Sequence, residues 1–112
     1  MNKKKYLLIK DGDVTQNWLE ENHFFWDEAR RMYIHRYTIW RIDDTPECVY
    51  AEIRLNAETK DVELDVYMDK KTYYGPWYLD QLGIETDEEV VIMNRRIKGE
   101  FERLGIIERV EI

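Results

Sequence analysis

The sequence predicts an α+β fold: an antiparallel sheet, built as a three-strand meander plus terminal strands, packed against a C-terminal helix and an N-terminal helical segment. Three observations carry this. First, residues 43–69 hold two runs with a period of two. Val49, Ala51, Ile53 and Leu55 alternate with Tyr50, Glu52 and Arg54, and Val62, Leu64, Val66 and Met68 alternate with Glu63, Asp65 and Tyr67. A period of two buries one face of a strand and turns the other outward. Second, the preceding segment from Tyr33 to Ile42 is rich in β-branched and aromatic residues, as strands are. Third, Val90, Met93, Ile97, Phe101 and Leu104 recur at helical spacing and form one apolar stripe.

The elements follow in order. Lys4 to Lys10 reads as a short strand centred on Tyr6 to Ile9, closed by an Asp11-Gly12-Asp13 turn. Asp13 and Gln16 have capping-box spacing, so a helix starts there with Val14, Trp18 and Leu19 on its apolar face. Asn22-His23 weakens it, and Phe25, Trp26, Ala29 and Met32 predict a kinked helical continuation up to the strand at Tyr33. The cluster Asp43-Asp44-Thr45-Pro46 is a turn. It leads into a hairpin looped at Asn56 to Asp61, with inward pairs Leu55–Val62, Ile53–Leu64, Ala51–Val66 and Val49–Met68. The outward pairs are then Arg54–Glu63, Glu52–Asp65 and Tyr50–Tyr67. Two facing acids repel unless a cation sits beside them, and Arg36 or Arg41 of the preceding strand can supply one. Pro76 opens a short helix to Leu82 that stops at Gly83. Thr86-Asp87-Glu88-Glu89 starts the last helix, Gly105 ends it, and Ile106 to Ile112 form a final strand.

At 112 residues the chain is read as a single domain, residues 1–112. The basic start Met1 to Lys5 is followed by an apolar run of Tyr6 to Ile9 only, which is not a signal-peptide pattern. No stretch approaches the ~20 apolar residues of a membrane span. One cysteine, Cys48, cannot form an internal disulfide. A cytoplasmic protein with no membrane partner is the expectation. The formal charge is −7, and residues 43–69 alone hold nine acids against Arg54 and Lys60. That balance disfavours nucleic acid as a general partner, because phosphate neutralisation supplies most of such affinity.

No catalytic motif stands out, and no cofactor is implied. Cys48, His23 and His35 make no nucleophile–base or metal-ligand spacing. Glu52 and Asp65 are only two oxygen donors, too few for a divalent ion, so no metal residues are assigned. Glu58-Thr59-Lys60, with Asp44 upstream, echoes the acid and Glu-x-Lys pattern of metal-dependent nucleases, and that is one alternative. Another rests on Arg95-Arg96-Ile97-Lys98 through Leu104-Gly105-Ile106, with Leu82-Gly83-Ile84 before it. This stretch, residues 76–112, resembles the end of a winged helix-turn-helix. The resemblance implies a DNA-binding regulator with Arg95, Arg96 and Lys98 near phosphates. The helix opening Asp87-Glu88-Glu89 departs from it, since those acids would repel the backbone.

The preferred expectation is a small acidic, non-enzymatic interaction protein. Glu52, Glu63 and Asp65 would lie on one exposed sheet face and steer a basic protein partner. The aromatic loop Tyr73, Tyr74, Trp77 and Tyr78 would anchor it.

Overall fold

A computed structural model describes residues 5–41, 48–68, 72–73 and 88–108. Their elements are β1 (Tyr6–Leu8), α1 (Gln16–Glu21), β2 (Phe25–Asp27), β3 (Met32–Arg41), β4 (Cys48–Leu55), β5 (Asp61–Met68), β6 (Thr72–Tyr73), α2 (Glu88–Leu104) and β7 (Ile106–Glu108). The sheet runs β2-β3-β4-β5-β1-β7, with β6 beside β5. Each pairing is antiparallel. The fold is α+β, as expected.

The β4–β5 register is Leu55–Val62, Ile53–Leu64, Ala51–Val66 and Val49–Met68, as the alternation predicts. A slip of one residue would have turned this whole apolar set to the other face. The loop is set locally. The Asn56 carboxamide oxygen accepts from the amides of Glu58 and Thr59, and Lys60 takes the left-handed conformation at φ 64°. Lys60 Nζ then donates to the carbonyls of Lys10 and Gly12, tying the hairpin tip to the turn after β1.

The core lies between the sheet and α2. Met93, Ile97, Phe101 and Leu104 of the helical stripe pack with Tyr6, Leu8, Val49, Ala51, Ile53, Leu55, Val62, Leu64 and Val66. Phe101 meets the Tyr6 ring edge-on at 4.9 Å between centroids. Gly105 ends the helix at φ 85°, where its amide donates to Phe101 O. A Cβ there would stand 2.8 Å from Ile9 O, so glycine is required twice over.

Two expectations near the N-terminus are corrected. Thr15, not Asp13, caps α1: its hydroxyl accepts from Trp18 N at 3.1 Å. The helix stops at Glu21, and Phe25 to Asp27 do not continue it. They form β2, paired with β3 as Phe25–Ile34, Trp26–Tyr33 and Asp27–Met32. The physical reason is a turn that periodicity alone does not reveal. Asp27 Oδ1 accepts from Ala29 N and Arg30 N, and Arg31 takes φ 55°. A short side chain that folds the backbone onto itself competes with the helix and wins. The turn at 43–46, the helix from Pro76 and the cap at Thr86 lie outside the described residues, as does the end of the last strand beyond Glu108.

Candidate functional site

The outward face of β3, β4 and β5 carries alternating charges of both signs. Register sets Arg36 opposite Glu52, and Glu52 opposite Asp65. Arg54 lies two residues along β4 and therefore on the same face. Its guanidinium fills the gap between the two acids. Arg54 Nε and Nη2 donate to Glu52 Oε2 at 2.9 and 2.7 Å, and Nη1 donates to Asp65 Oδ2 at 2.6 Å. Nη2 also reaches Tyr67 Oη at 2.6 Å. On the other carboxylate oxygen, Glu52 Oε1 accepts from Arg36 Nη2 at 2.7 Å and Nε at 3.3 Å. Arg30, from the turn after β2, bridges Asp27 and Glu52 at 3.4 Å each. The Arg36 guanidinium is flanked by the rings of Phe25 and Tyr50, each 5.6 Å away.

This geometry corrects the expected acidic face. Glu52 is 2 % exposed and Asp65 4 %, and only Glu63 stands in solvent. The pairing was legible in the alternation, but the burial was not. Carboxylates become buried when guanidinium forks take up their oxygens. Burial alone would raise the Glu52 carboxyl. Hydrogen bonds from Arg36 and Arg54, with the charges of Arg54 and Arg30, outweigh it and hold the group below the usual carboxylate range. Burial would likewise lower Arg54, yet its Glu52 bond and the Asp65 charge hold it above its ordinary value. A carboxylate so held is a poor general base. The cluster is a charge-paired clamp across three strands, with three arginines set against Asp27, Glu52, Glu63 and Asp65. Of the two compensating cations that the sequence offers, Arg36 and Arg41, it is Arg36 that meets Glu52. Arg54, the central one, was not among them, although its position between Glu52 and the Glu63–Asp65 pair was visible in the register.

A second polar group sits under α2. His35 Nε2 lies 2.9 Å from Glu100 Oε2, and Arg103 donates to the other Glu100 oxygen. Burial would raise Glu100, but the bonds from Arg103 and His35 bring it below the usual range. Burial, aided by the Glu100 charge, raises the Tyr37 hydroxyl, whose ring stacks on His35.

Two clefts lie at the two ends of β3. At one end, Trp26 and Tyr33 meet edge-to-face at 4.9 Å and border a cleft of about 430 Å³ with Arg31, Leu55, Asn56, Ala57 and Glu58. Phe25 is 46 % and Trp26 47 % exposed, both on the three-residue edge strand β2. At the other end, Thr38, Trp40, Arg41 and Arg96 border a cleft of about 440 Å³.

The remaining expected residues fall as follows. Tyr73 pairs with Tyr67 in the sheet, while Tyr74, Trp77 and Tyr78 lie outside the described residues. Arg95, Arg96 and Lys98 are all exposed on α2, and Arg96 Nη1 donates to Ile39 O at 2.6 Å. The strand after α2 pairs with β1 at the sheet edge. Glu58, Thr59 and Lys60 sit in the hairpin loop, with the Lys60 ammonium bound to backbone carbonyls, and Asp44 is not described. Among the described residues, no group of three or more His, Cys, Asp or Glu side chains is placed to hold a metal ion. No described helix is long and apolar enough to cross a membrane. Comparison with protein-family models, with curated proteins and with solved structures finds no match.

Proposed function

We propose that this chain is a non-enzymatic interaction module that docks a basic protein partner on the aromatic edge at β2. The observation that carries this reading is the half-exposed Trp26 ring on a short edge strand, where it lines the 430 Å³ cleft with Tyr33. Large aromatics are normally withdrawn from solvent, and at interfaces they are the residues that anchor a partner. The cleft offers ring faces from Trp26 and Tyr33 and a carboxylate from Glu58. A lysine or arginine side chain suits that set, through cation–π attraction and charge pairing. The net charge of −7 favours the encounter.

In this reading the acidic hairpin serves a different end from the one its composition suggests. Glu52 and Asp65 are consumed by arginines and hold the sheet together, so steering falls to exposed acids such as Glu58 and Glu63. A cytoplasmic setting suits the lone free Cys48.

Binding kinetics of a lysine- and arginine-rich peptide test the proposal. Trp26→Ala should speed dissociation about tenfold or more, as for a hot-spot aromatic. Glu63→Lys should mainly slow association, an effect that salt removes. Dissociation unchanged by Trp26→Ala would refute the docking site.

A further inference from the structure

We infer that the cleft at the far end of β3 is a binding site for a small phosphorylated ligand carrying a planar ring, a nucleoside monophosphate being the simplest. It lies beyond the Trp26 edge and does not rest on the docking proposal. Its lining is Thr38, Trp40, Arg41 and Arg96, with a volume of about 440 Å³. That falls within the usual size of small-molecule sites.

The site is built by an irregularity in the sheet. Between Thr38 and Trp40 the β3–β4 register shifts, so that Thr38 faces Tyr50 while Trp40 faces Val49. A bulge re-aims side chains, and such bulges are enriched beside binding sites. Strand β2 pairs only with Met32 to Ile34, which leaves this stretch of β3 without a strand on that side among the described residues. Arg96 comes from α2 to meet it, and its Nη1 donates to Ile39 O at 2.6 Å. That bond fixes the guanidinium on two rigid elements while its remaining N–H groups stay available.

Arg41 adds a second guanidinium. Neither Arg41 nor Arg96 has a carboxylate within ion-pair distance among the described residues, unlike Arg30, Arg36, Arg54 and Arg103; Arg31 and Arg95 also lack one, but Arg41 and Arg96 share a cleft. Two arginines in one cleft, with no carboxylate partner among the described residues, favour an oxyanion, and Arg forks fit phosphate geometry. Trp40 is half-buried against the core and lines the cleft with its remaining surface, where a planar ring can stack. The Thr38 hydroxyl can donate to the ligand.

The test is an NMR titration of the intact protein with adenosine monophosphate, inorganic phosphate and adenosine, following the Trp40 indole N–H and the Arg41 amide. Adenosine monophosphate should shift both at millimolar concentration or below, inorganic phosphate should bind more weakly, and adenosine more weakly still. Arg41→Ala should weaken adenosine monophosphate binding about tenfold, the loss expected for a charge-assisted hydrogen bond. Arg41 is exposed and takes part in no side-chain bond among the described residues, so this variant should fold normally. Arg96→Lys, which keeps the charge, should give a smaller loss. Absence of shifts at millimolar adenosine monophosphate would overturn the proposal. So would equal binding of adenosine, equal binding of inorganic phosphate, or an affinity unaffected by Arg41→Ala.

Discussion

Arg54 Nη1 lies 2.6 Å from Asp65 Oδ2 across the β4–β5 pair, and the same guanidinium grips Glu52 two residues along its own strand. One cation therefore keeps two facing acids from repelling. Removing it would strip both buried carboxylates of their shared cation, leaving Glu52 to Arg36 and Arg30. Arg54→Met should cost about 3–5 kcal/mol, the range for breaking a buried ion pair from one side. Urea denaturation measures this. Replacing Glu52, Arg54 and Asp65 together by apolar residues of similar volume should cost less than Arg54→Met alone. A single variant as stable as the parent would mean that the cluster is open to water.

Asn94 lies buried on α2, and neither its amide nitrogen nor its carbonyl oxygen has a hydrogen-bond partner among the described residues. A buried polar group without partners carries a desolvation cost of about 1–3 kcal/mol. Asn94→Leu, similar in size, should raise the urea midpoint by an amount in that range. A drop of comparable size would show that the carboxamide is satisfied in solution.

Gly105 combines a left-handed backbone with close approach to Ile9 O. An alanine there must both adopt φ 85° and push away a strand carbonyl. Gly105→Ala should cost at least about 1–3 kcal/mol, the usual cost of one strained residue. Thermal unfolding of the variant checks this, and an unchanged Tm would argue that β7 docks differently.

Acid should destabilise the protein. Glu52 and Glu100 both sit below the ordinary carboxyl value of 4.5 in the folded state. Their contribution is complete above that value. As the pH falls below it, the unfolded chain takes up protons that the folded chain refuses, so stability drops until the folded values are passed. Urea midpoints should fall between about pH 5 and the folded-state values, and Glu52→Gln should make that decline shallower. Stability that stays level or rises over the same range would contradict the sign.

How far the sequence discloses this fold depends on what each element uses as its signal. The β4–β5 register and the stripe of α2 follow from periodicity, because burial of one face leaves a repeating mark. The β2–β3 hairpin leaves none. Its turn depends on a single Asp27 side chain and a left-handed Arg31, and Phe25, Trp26, Ala29 and Met32 mimic a helical spacing. Alternation placed Glu52 and Asp65 correctly on the outward face, but a face pattern cannot report burial. Only the convergence of Arg30, Arg36 and Arg54 turns an apparently acidic surface into a charge-paired clamp. The β2 aromatic edge was hidden for the same reason as the hairpin, and the Arg41–Arg96 cleft needs a contact between residues far apart in the chain.

The most direct test of the docking proposal is an NMR titration with the lysine- and arginine-rich peptide that maps the perturbed residues. The account predicts shifts at the Trp26 indole and at the amides of Phe25, Tyr33 and Glu58, with Arg31→Glu tightening binding by removing a like charge from the cleft. Shifts centred on Tyr50, Glu52, Asp65 and Tyr67, with the Trp26 indole unmoved, would contradict it and return the binding surface to the acidic hairpin.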